Sequence, residues 1–348
     1  MRRILGLTAT AVVTIASVVG CSGSSGKGPS RPASAAVVLI SGENTTSPFT
    51  DNDQRCATGL AAGQTNTAIR DRLRSEQYTV YTAPTRAGRG QVVDQTGFGA
   101  FGVCPQTLPD NMTVDTTGSI DTAGEHLARF ITWLRDEKGV TEVDFVGHSM
   151  GGLYARAAIR VLATTASGVK VRSLTTLGTP WQGSYLADYA NDAIPITECK
   201  GDALCQAAMK DFRQNTLQTI SGSGREASKA FLMGGNGWNQ FQSGVLDQVP
   251  VTLIAGTRFK VPGPANPAVW PNDGAVAEDS ALARGISDPV LPRRSCRSFE
   301  DTHSIAVANQ AGVSWDTALT WDPKVLDAIS AAIENAPDAM DAPNRDGC

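Results

Sequence analysis

Gly147-His148-Ser149-Met150-Gly151 sets a serine between two glycines in the pattern G-x-S-x-G. In a chain with 35 glycines so short a pattern means little alone. Its flanks give it weight. Val143-Asp144-Phe145-Val146 reads as a strand running straight into it, and a helix opens at Gly152 or Leu153. A tight turn between strand and helix lifts Ser149 to the top of a sheet with its hydroxyl exposed, and a Cβ at either glycine would clash there. A serine held this way is a candidate nucleophile for acyl transfer. The backbone N–H of Met150, beside the positive end of the helix, is a candidate donor to the oxyanion that such chemistry develops.

A serine nucleophile needs a base. The chain has three histidines: His126, His148 and His303. His148 adjoins Ser149 within the turn, where its ring cannot fold back onto the hydroxyl. His126 lies in a helical pattern near Phe130 and Trp133 and reads as a partly buried packing residue. His303, in Asp301-Thr302-His303-Ser304, remains. It follows the last strand legible in the sequence and precedes the last helix.

The elements that must position these residues alternate. Ala36-Val37-Val38-Leu39-Ile40, stopped by Ser41-Gly42, reads as a buried strand. A helix is expected over about 65–76 and a strand over 78–83, ended by Pro84. Residues 85–119 are Gly-rich and polar. A helix follows over 121–138, with Asp121 as N-cap and Gly139 as its stop. Strands are expected at 142–146, 171–177 and 249–255, and helices at 153–162 and 324–336. The last carries Val325, Leu326, Ile329 and Ile333 on one face. Alternation of this kind predicts an α/β fold: a mostly parallel central sheet flanked by helices. Residues 181–248 interrupt it with helical composition and two cysteines, as expected of a cap inserted above the sheet. There is no internal repeat.

Val146 to Gly152, and Leu177-Gly178-Thr179-Pro180-Trp181-Gln182-Gly183-Ser184, resemble the α/β-hydrolase superfamily, and within it bacterial secreted lipases and lipase-like relatives. The resemblance covers most of residues 36–336 and is weakest in 85–119 and in the cap. It implies a Ser, acid, His order along the chain, with the base where His303 stands. Asn272-Asp273-Gly274-Ala275-Val276 is similar to the run that carries the catalytic aspartate in several bacterial lipases, which points to Asp273. Asp279, Asp288 and Glu278 are the other candidates, and Asp-Gly is also a common turn pair. Asp301, two residues from His303, reads as a local hydrogen-bonding or surface group. The second oxyanion donor should come from the loop after the first strand; the backbone N–H of Glu43 is chosen, with Gly42 next. Trp181 stands where many relatives carry histidine. It is a candidate substrate-binding residue, with packing beneath the cap as the alternative. The resemblance implies serine ester hydrolysis of the lipase or carboxylesterase kind, with an ester or lipid substrate and no metal or organic cofactor. The calcium-binding aspartate that some related lipases carry just after the base has no counterpart in Ser304-Ile305-Ala306.

Composition bounds the alternatives. The 348 residues are 41% hydrophobic and 18% charged, enough for a sizeable core. The net charge of −4 gives no basic excess for nucleic acid. Arg2 and Arg3 precede an apolar run from Ile4 to Val19, the pattern of an export signal. The run ends in Val18-Val19-Gly20-Cys21, which resembles a bacterial lipobox with Cys21 as the lipidated residue. Residues 1–20 then form a lipoprotein signal, 21–35 a flexible tether, and 36–348 the catalytic domain with its cap at about 181–248. Export, with a lipid anchor in the membrane or release from the cell, follows from that reading. Six cysteines remain: Cys56, Cys104, Cys199, Cys205, Cys296 and Cys348. An even number in an exported chain predicts disulfides. Fifteen connectivities are possible, and pairing between neighbours is the working expectation. A cell-envelope acyltransferase would use the same triad with a hydroxyl acceptor in place of water. A non-catalytic surface binding protein is the reading from a different class.

Overall fold

A computed structural model describes residues 32–53, 64–92, 106–218, 222–336, 345, 346 and 348. The proposed signal, Cys21, Cys56 and Cys104 lie outside the described residues. The strands are β1 (Ala35–Ile40), β2 (Val80–Thr82), β3 (Thr85–Arg86), β4 (Val114–Asp115), β5 (Glu142–His148), β6 (Lys170–Leu177), β7 (Val251–Gly256), β8 (Arg294–Phe299) and β9 (Arg345–Asp346). All but β3 and β4 form one sheet in the order β2-β1-β5-β6-β7-β8-β9, and every pairing in it is parallel. β3 and β4 pair separately.

The apolar runs explain the layering. A strand buried on both faces needs no polar alternation, and β1 is buried at every residue. Ala36, Val38 and Ile40 face one core, and Val37 and Leu39 face the other. The first core is filled from α2 (Ile120–Lys138) and α3 (Gly151–Thr164). The second is filled by Ile69 and Leu73 of α1 (Gln64–Ser75) and by Val325, Ile329 and Ile333 of the closing helix, Pro323–Glu334. Gly139 closes α2 in the left-handed conformation at φ 68°, as the sequence predicts. The N-cap of α2 is Ser119, whose hydroxyl accepts from Thr122 N at 3.2 Å, rather than Asp121. Asp121 instead takes the Trp238 indole N–H at 2.9 Å and pairs with Arg160 at 2.8 Å.

Between β6 and β7 lie α4 (Tyr185–Ala190), α5 (Ala203–Gln218), α6 (Ser223–Glu226) and α7 (Lys229–Met233). Cys199–Cys205 is a disulfide at the start of α5, and both cysteines sit in a small apolar cluster with Tyr185, Met209 and Trp270. Cys296–Cys348 bridges β8 to a cysteine two residues after β9. After β7 come α8 (Glu278–Ala281), β8, α9 (Ile305–Ala311) and α10 (Pro323–Glu334). No helix among the described residues is long and apolar enough to cross a membrane.

Two buried titrating groups pull stability in opposite directions with pH. Burial, then the neighbouring Asp322 carboxyl, pushes Asp301 up to about 7, against weaker help from Lys324 and Arg258. Asp301 is therefore a buried partner of Asp322 and not a surface group. Its folded-state pKa exceeds its unfolded value, so the folded state holds a proton that the unfolded state gives up. That costs stability progressively from about pH 4 to about pH 7 and fully above. Burial, then the charge of His303, pushes His148 down to about 3, so the unfolded state binds the extra proton and stability rises with pH up to about 6.5. Asp301→Asn is expected to remove the first effect and leave the second. Thermal unfolding should then show a Tm gain over the native chain that is absent near pH 4 and largest at pH 8. An equal gain at both pH values would rule out this assignment.

Candidate active site

Strand β5 ends at His148 and α3 begins at Gly151, leaving Ser149 and Met150 to make the whole turn. Ser149 takes φ 56°, a left-handed conformation that costs a residue with a Cβ on the order of 1–3 kcal/mol. Its N–H donates to Leu177 O at 2.8 Å, and Thr179 Oγ1 donates to Ser149 O at 2.8 Å, so the neighbouring strand end holds the turn from both sides. A Cβ on Gly147 would lie 2.6 Å from Gly152 N, and one on Gly151 would collide with Ile40 O. Both glycines of the motif are thus fixed by backbone approaching backbone. Gly42, after β1, passes so close that a Cβ there would overlap Ser149 Cβ and stand 3.0 Å from Ser149 Oγ. This brings the Gly42–Glu43 segment against the hydroxyl. Among the described residues Met150 N–H takes no backbone carbonyl.

Asp273 and His303 come from the loops after β7 and β8. His303 Nδ1 meets Asp273 Oδ2 at 2.7 Å, and both side chains are buried. Asp273 Oδ1 accepts from Ala275 N at 2.9 Å and Val276 N at 2.8 Å, so the carboxylate is oriented at both oxygens. His303 N donates to Asp273 O at 2.7 Å. His148 Nε2 donates to His303 O at 2.8 Å. The two peptide groups flanking the His303 side chain are therefore tied to the acid loop and to the elbow. A Cβ on Gly178 would stand 2.7 Å from Asp273 Oδ2 and 2.8 Å from His303 Nδ1, so the end of β6 packs directly on the pair. Since Nδ1 faces the carboxylate, Nε2 is the nitrogen left to act on another group. The other acid candidates are engaged elsewhere: Asp279 with Arg284, Asp288 with Arg294, and Glu278 with Ser298 Oγ at 2.6 Å.

A cavity of about 290 Å³ opens at Ser149 and Met150. Its lining mixes polar residues, among them Glu43, Asn44, Thr117, Asn215 and Thr216, with apolar ones such as Leu186, Phe212 and Val276. Trp181 is not in its wall. Trp181 is fully buried, with its indole N–H on Thr176 Oγ1 at 3.1 Å and its ring 4.2 Å from the Arg156 guanidinium. Of the two readings, the structure places Trp181 in packing, because the chain after Pro180 turns the ring inward, against Arg156 of α3. His126, with Nδ1 2.7 Å from Thr113 O, is a half-buried helix residue. Sequence reasoning missed Arg156 altogether. It is a buried cation between Trp181 and Trp238, its pKa lowered to about 9 by burial, with Asn239 Oδ1 at 2.8 Å. Its only sequence signal is a charge on the face of α3 that otherwise carries Leu153, Ala157 and Ile159. No group of three or more His, Cys, Asp or Glu among the described residues could hold a metal ion.

Residues 107–196 match a protein family described as a putative serine esterase. That stretch includes the whole elbow and the strand beyond it. Two curated relatives are similar over 71 residues at 37% identity: triacylglycerol lipases of Pseudarthrobacter phenanthrenivorans and Burkholderia plantarii. Each match covers 20% of this chain, and 21% and 18% of the respective relative. The chain thus spans about a fifth of the length of the curated relatives it matches. Among solved structures, a Bacillus licheniformis lipase in its propeptide form shares 15% identity, covering 83% of this chain and 52% of that one, with a TM-score of 0.43. A Pyrococcus furiosus esterase shares 14% identity over 87% and 83%, also with a TM-score of 0.43. Likeness at this level says nothing of substrate. The fold follows from the chain's own topology. A parallel sheet with a serine elbow after a central strand, and the acid and histidine loops after the strands beyond it, is the α/β-hydrolase fold.

Proposed function

We propose that this chain is an exported serine hydrolase of carboxylic esters, with Ser149 as nucleophile, His303 as base and Asp273 as the group that orients the base. The observation that carries the reading is the 2.7 Å contact of His303 Nδ1 with a buried Asp273 carboxylate, on loops that pack against the Ser149 elbow. His303 Nε2 takes the Ser149 proton as Oγ bonds to the carbonyl carbon. The backbone N–H groups of Met150 and Glu43 stabilise the oxyanion, on the order of 10²–10³ in rate for each donor. Collapse breaks the C–O bond to the alcohol, which leaves with the proton held by His303. Water then attacks the acyl-enzyme with His303 again as base, and the acid departs. Asp273, oriented by two backbone N–H groups, favours the imidazolium while it exists.

Two disulfides among the described residues support an oxidising compartment outside the cytoplasm, in agreement with the export signal read from residues 1–20. Cys21 is the proposed lipid attachment point, and Cys56 with Cys104 the proposed third disulfide. The function is tested by reaction with a fluorophosphonate. One adduct is expected, on the peptide carrying Ser149, with loss of p-nitrophenyl butyrate hydrolysis in proportion to labelling. Labelling elsewhere, or full activity after complete labelling, would overturn the proposal.

A further inference from the structure

The segment after β1 turns sharply beside Ser149. Glu43 and Asn44 form its corner, and Asn44 takes φ 53°, a left-handed conformation that asparagine tolerates better than most residues. Thr45 Oγ1 donates to Gly42 O at 2.6 Å across that corner. The Gly42–Glu43 peptide is trans, so its C=O and N–H point in opposite directions. Fixing the carbonyl therefore fixes the N–H of Glu43 on the side away from Thr45.

The turn is anchored at both ends. Upstream, Asn66 Nδ2 donates to Ser41 Oγ at 2.9 Å, with both side chains buried. Downstream, Thr116, the residue after β4, is fully buried and meets the turn twice. Its Oγ1 donates to Thr45 O at 3.0 Å, and its carbonyl accepts from Asn44 N at 3.4 Å. The same carbonyl accepts from Tyr154 OH at 3.0 Å, and Tyr154 is a buried residue in the first turn of α3, close after Ser149. A hydrogen-bonded path thus runs from the elbow helix through Thr116 to Thr45 and on to the Gly42 carbonyl. Its last link is a single hydroxyl on a half-buried side chain. Glycine at position 42 leaves the Gly42–Glu43 peptide free to rotate. Rotation by half a turn would put Gly42 O where the Glu43 N–H stands, setting a lone pair against any oxyanion formed there. The Thr45 bond opposes that rotation.

We infer that Thr45 is a positioning residue of the oxyanion site, its hydroxyl holding the Gly42–Glu43 peptide so that the Glu43 N–H faces Ser149. This rests on the ester-hydrolase reading above, in which that N–H is one of the two oxyanion donors. Two placements support it: a Cβ on Gly42 would stand 3.0 Å from Ser149 Oγ, and Glu43 lines the cavity at Ser149. Thr45 is not in that lining and acts through the peptide alone. Its effect falls on the charge that develops during attack more than on the bound ester, because a donor aimed in advance is worth most where negative charge builds up.

The test uses the full chain with p-nitrophenyl butyrate and with propyl trifluoromethyl ketone, which adds to Ser149 and sets an oxyanion where the ester's would form. Thr45→Val keeps the shape of the side chain and removes the hydroxyl. It is expected to lower kcat about ten- to a hundredfold, to leave KM within about twofold, and to weaken the ketone by the same factor as kcat. Thr45→Ser keeps the hydroxyl and should recover most of both. Packing alone would give the reverse order, since valine preserves the methyl that serine lacks. Thr45→Ala takes the place of the valine variant if the latter does not fold. Native kcat and ketone affinity in the variant without the hydroxyl, a serine variant as slow as the valine, or a loss of kcat without weaker ketone binding would each overturn the inference. A native protein that turns over no ester, with Ser149 unreactive to fluorophosphonate, would instead remove the ester-hydrolase reading on which it depends.

Discussion

Ser149→Ala is expected to lower kcat for p-nitrophenyl butyrate about a millionfold, with KM nearly unchanged. The mutation deletes one oxygen and nothing else that the turn depends on. The elbow keeps its Cβ, its φ of 56°, its N–H bond to Leu177 O and the Thr179 bond to its carbonyl. The cavity lining and the two proposed oxyanion donors also remain. What is lost is the atom that bonds to the carbonyl carbon. Residual turnover would reflect water attacking an ester held near Met150 and Glu43. Unfolding stability should stay within about 1 kcal/mol of the native value, because an alanine carries the same backbone strain as the serine. Ser149→Gly makes the complementary test. Glycine accepts positive φ without cost, so this variant is expected to be inactive yet more stable by about 1 kcal/mol. A stable, inactive glycine variant would show that the strain at the elbow is retained for the hydroxyl. If Ser149→Ala keeps more than a hundredth of native kcat, the nucleophile lies elsewhere.

Much of this arrangement is legible in the sequence because its cause is local. The strand before Ser149 and the glycines around it act over a few residues, and β1 and β7 are largely apolar runs buried on both faces. Gly139, as a helix stop, is likewise a local event. β8 escaped because Arg-Ser-Cys-Arg-Ser-Phe has no apolar run to read. Its Arg294 is nonetheless buried, with its guanidinium on Ala283 O at 3.0 Å, Ile286 O at 3.1 Å and the Asp288 carboxylate at 3.0 Å. A strand can thus be completed by charge satisfaction, which sequence pattern does not reveal. α9, one short helix after His303, was missed for want of a repeated apolar period. Trp181 stayed open between two readings for a related reason. An indole near an elbow can face either a pocket or the core, and the deciding partner, Arg156, lies on a separate helix. The neighbour pairing of Cys199 with Cys205 and of Cys296 with Cys348 agrees with the structure, while Cys56 and Cys104 fall outside the described residues. Asp273 and His303 are separated by α8 and β8. Resemblance suggested the pair, and the 2.7 Å contact is what distinguishes Asp273 from Asp279, Asp288 and Glu278.

That contact gives the second large effect. Asp273→Asn is expected to lower kcat about ten-thousandfold near neutral pH, with only a small change in KM. The asparagine has nearly the same shape, and its oxygen can keep accepting from Ala275 N and Val276 N, as Asp273 Oδ1 does. Its NH₂ group then occupies the position of Oδ2. A donor facing Nδ1 forces that nitrogen to be the acceptor and moves the ring proton to Nε2. The base then carries its hydrogen on the side where it must take one from Ser149. The imidazolium formed during attack also loses its carboxylate partner, in a site too buried for water to replace it. The two faults act at different pH. Hydroxide can assist a misprotonated site, so the ratio of native to mutant kcat should narrow above about pH 9, whereas simple unfolding would give no such recovery. Asp279→Asn is the control: its partner is Arg284 on the surface, and kcat should stay within about twofold. A full loss in Asp279→Asn with activity retained in Asp273→Asn would reverse the assignment. Loss in Asp273→Asn alone, with a far-UV spectrum like the native protein's, would identify the buried carboxylate as the group that sets the tautomer of His303.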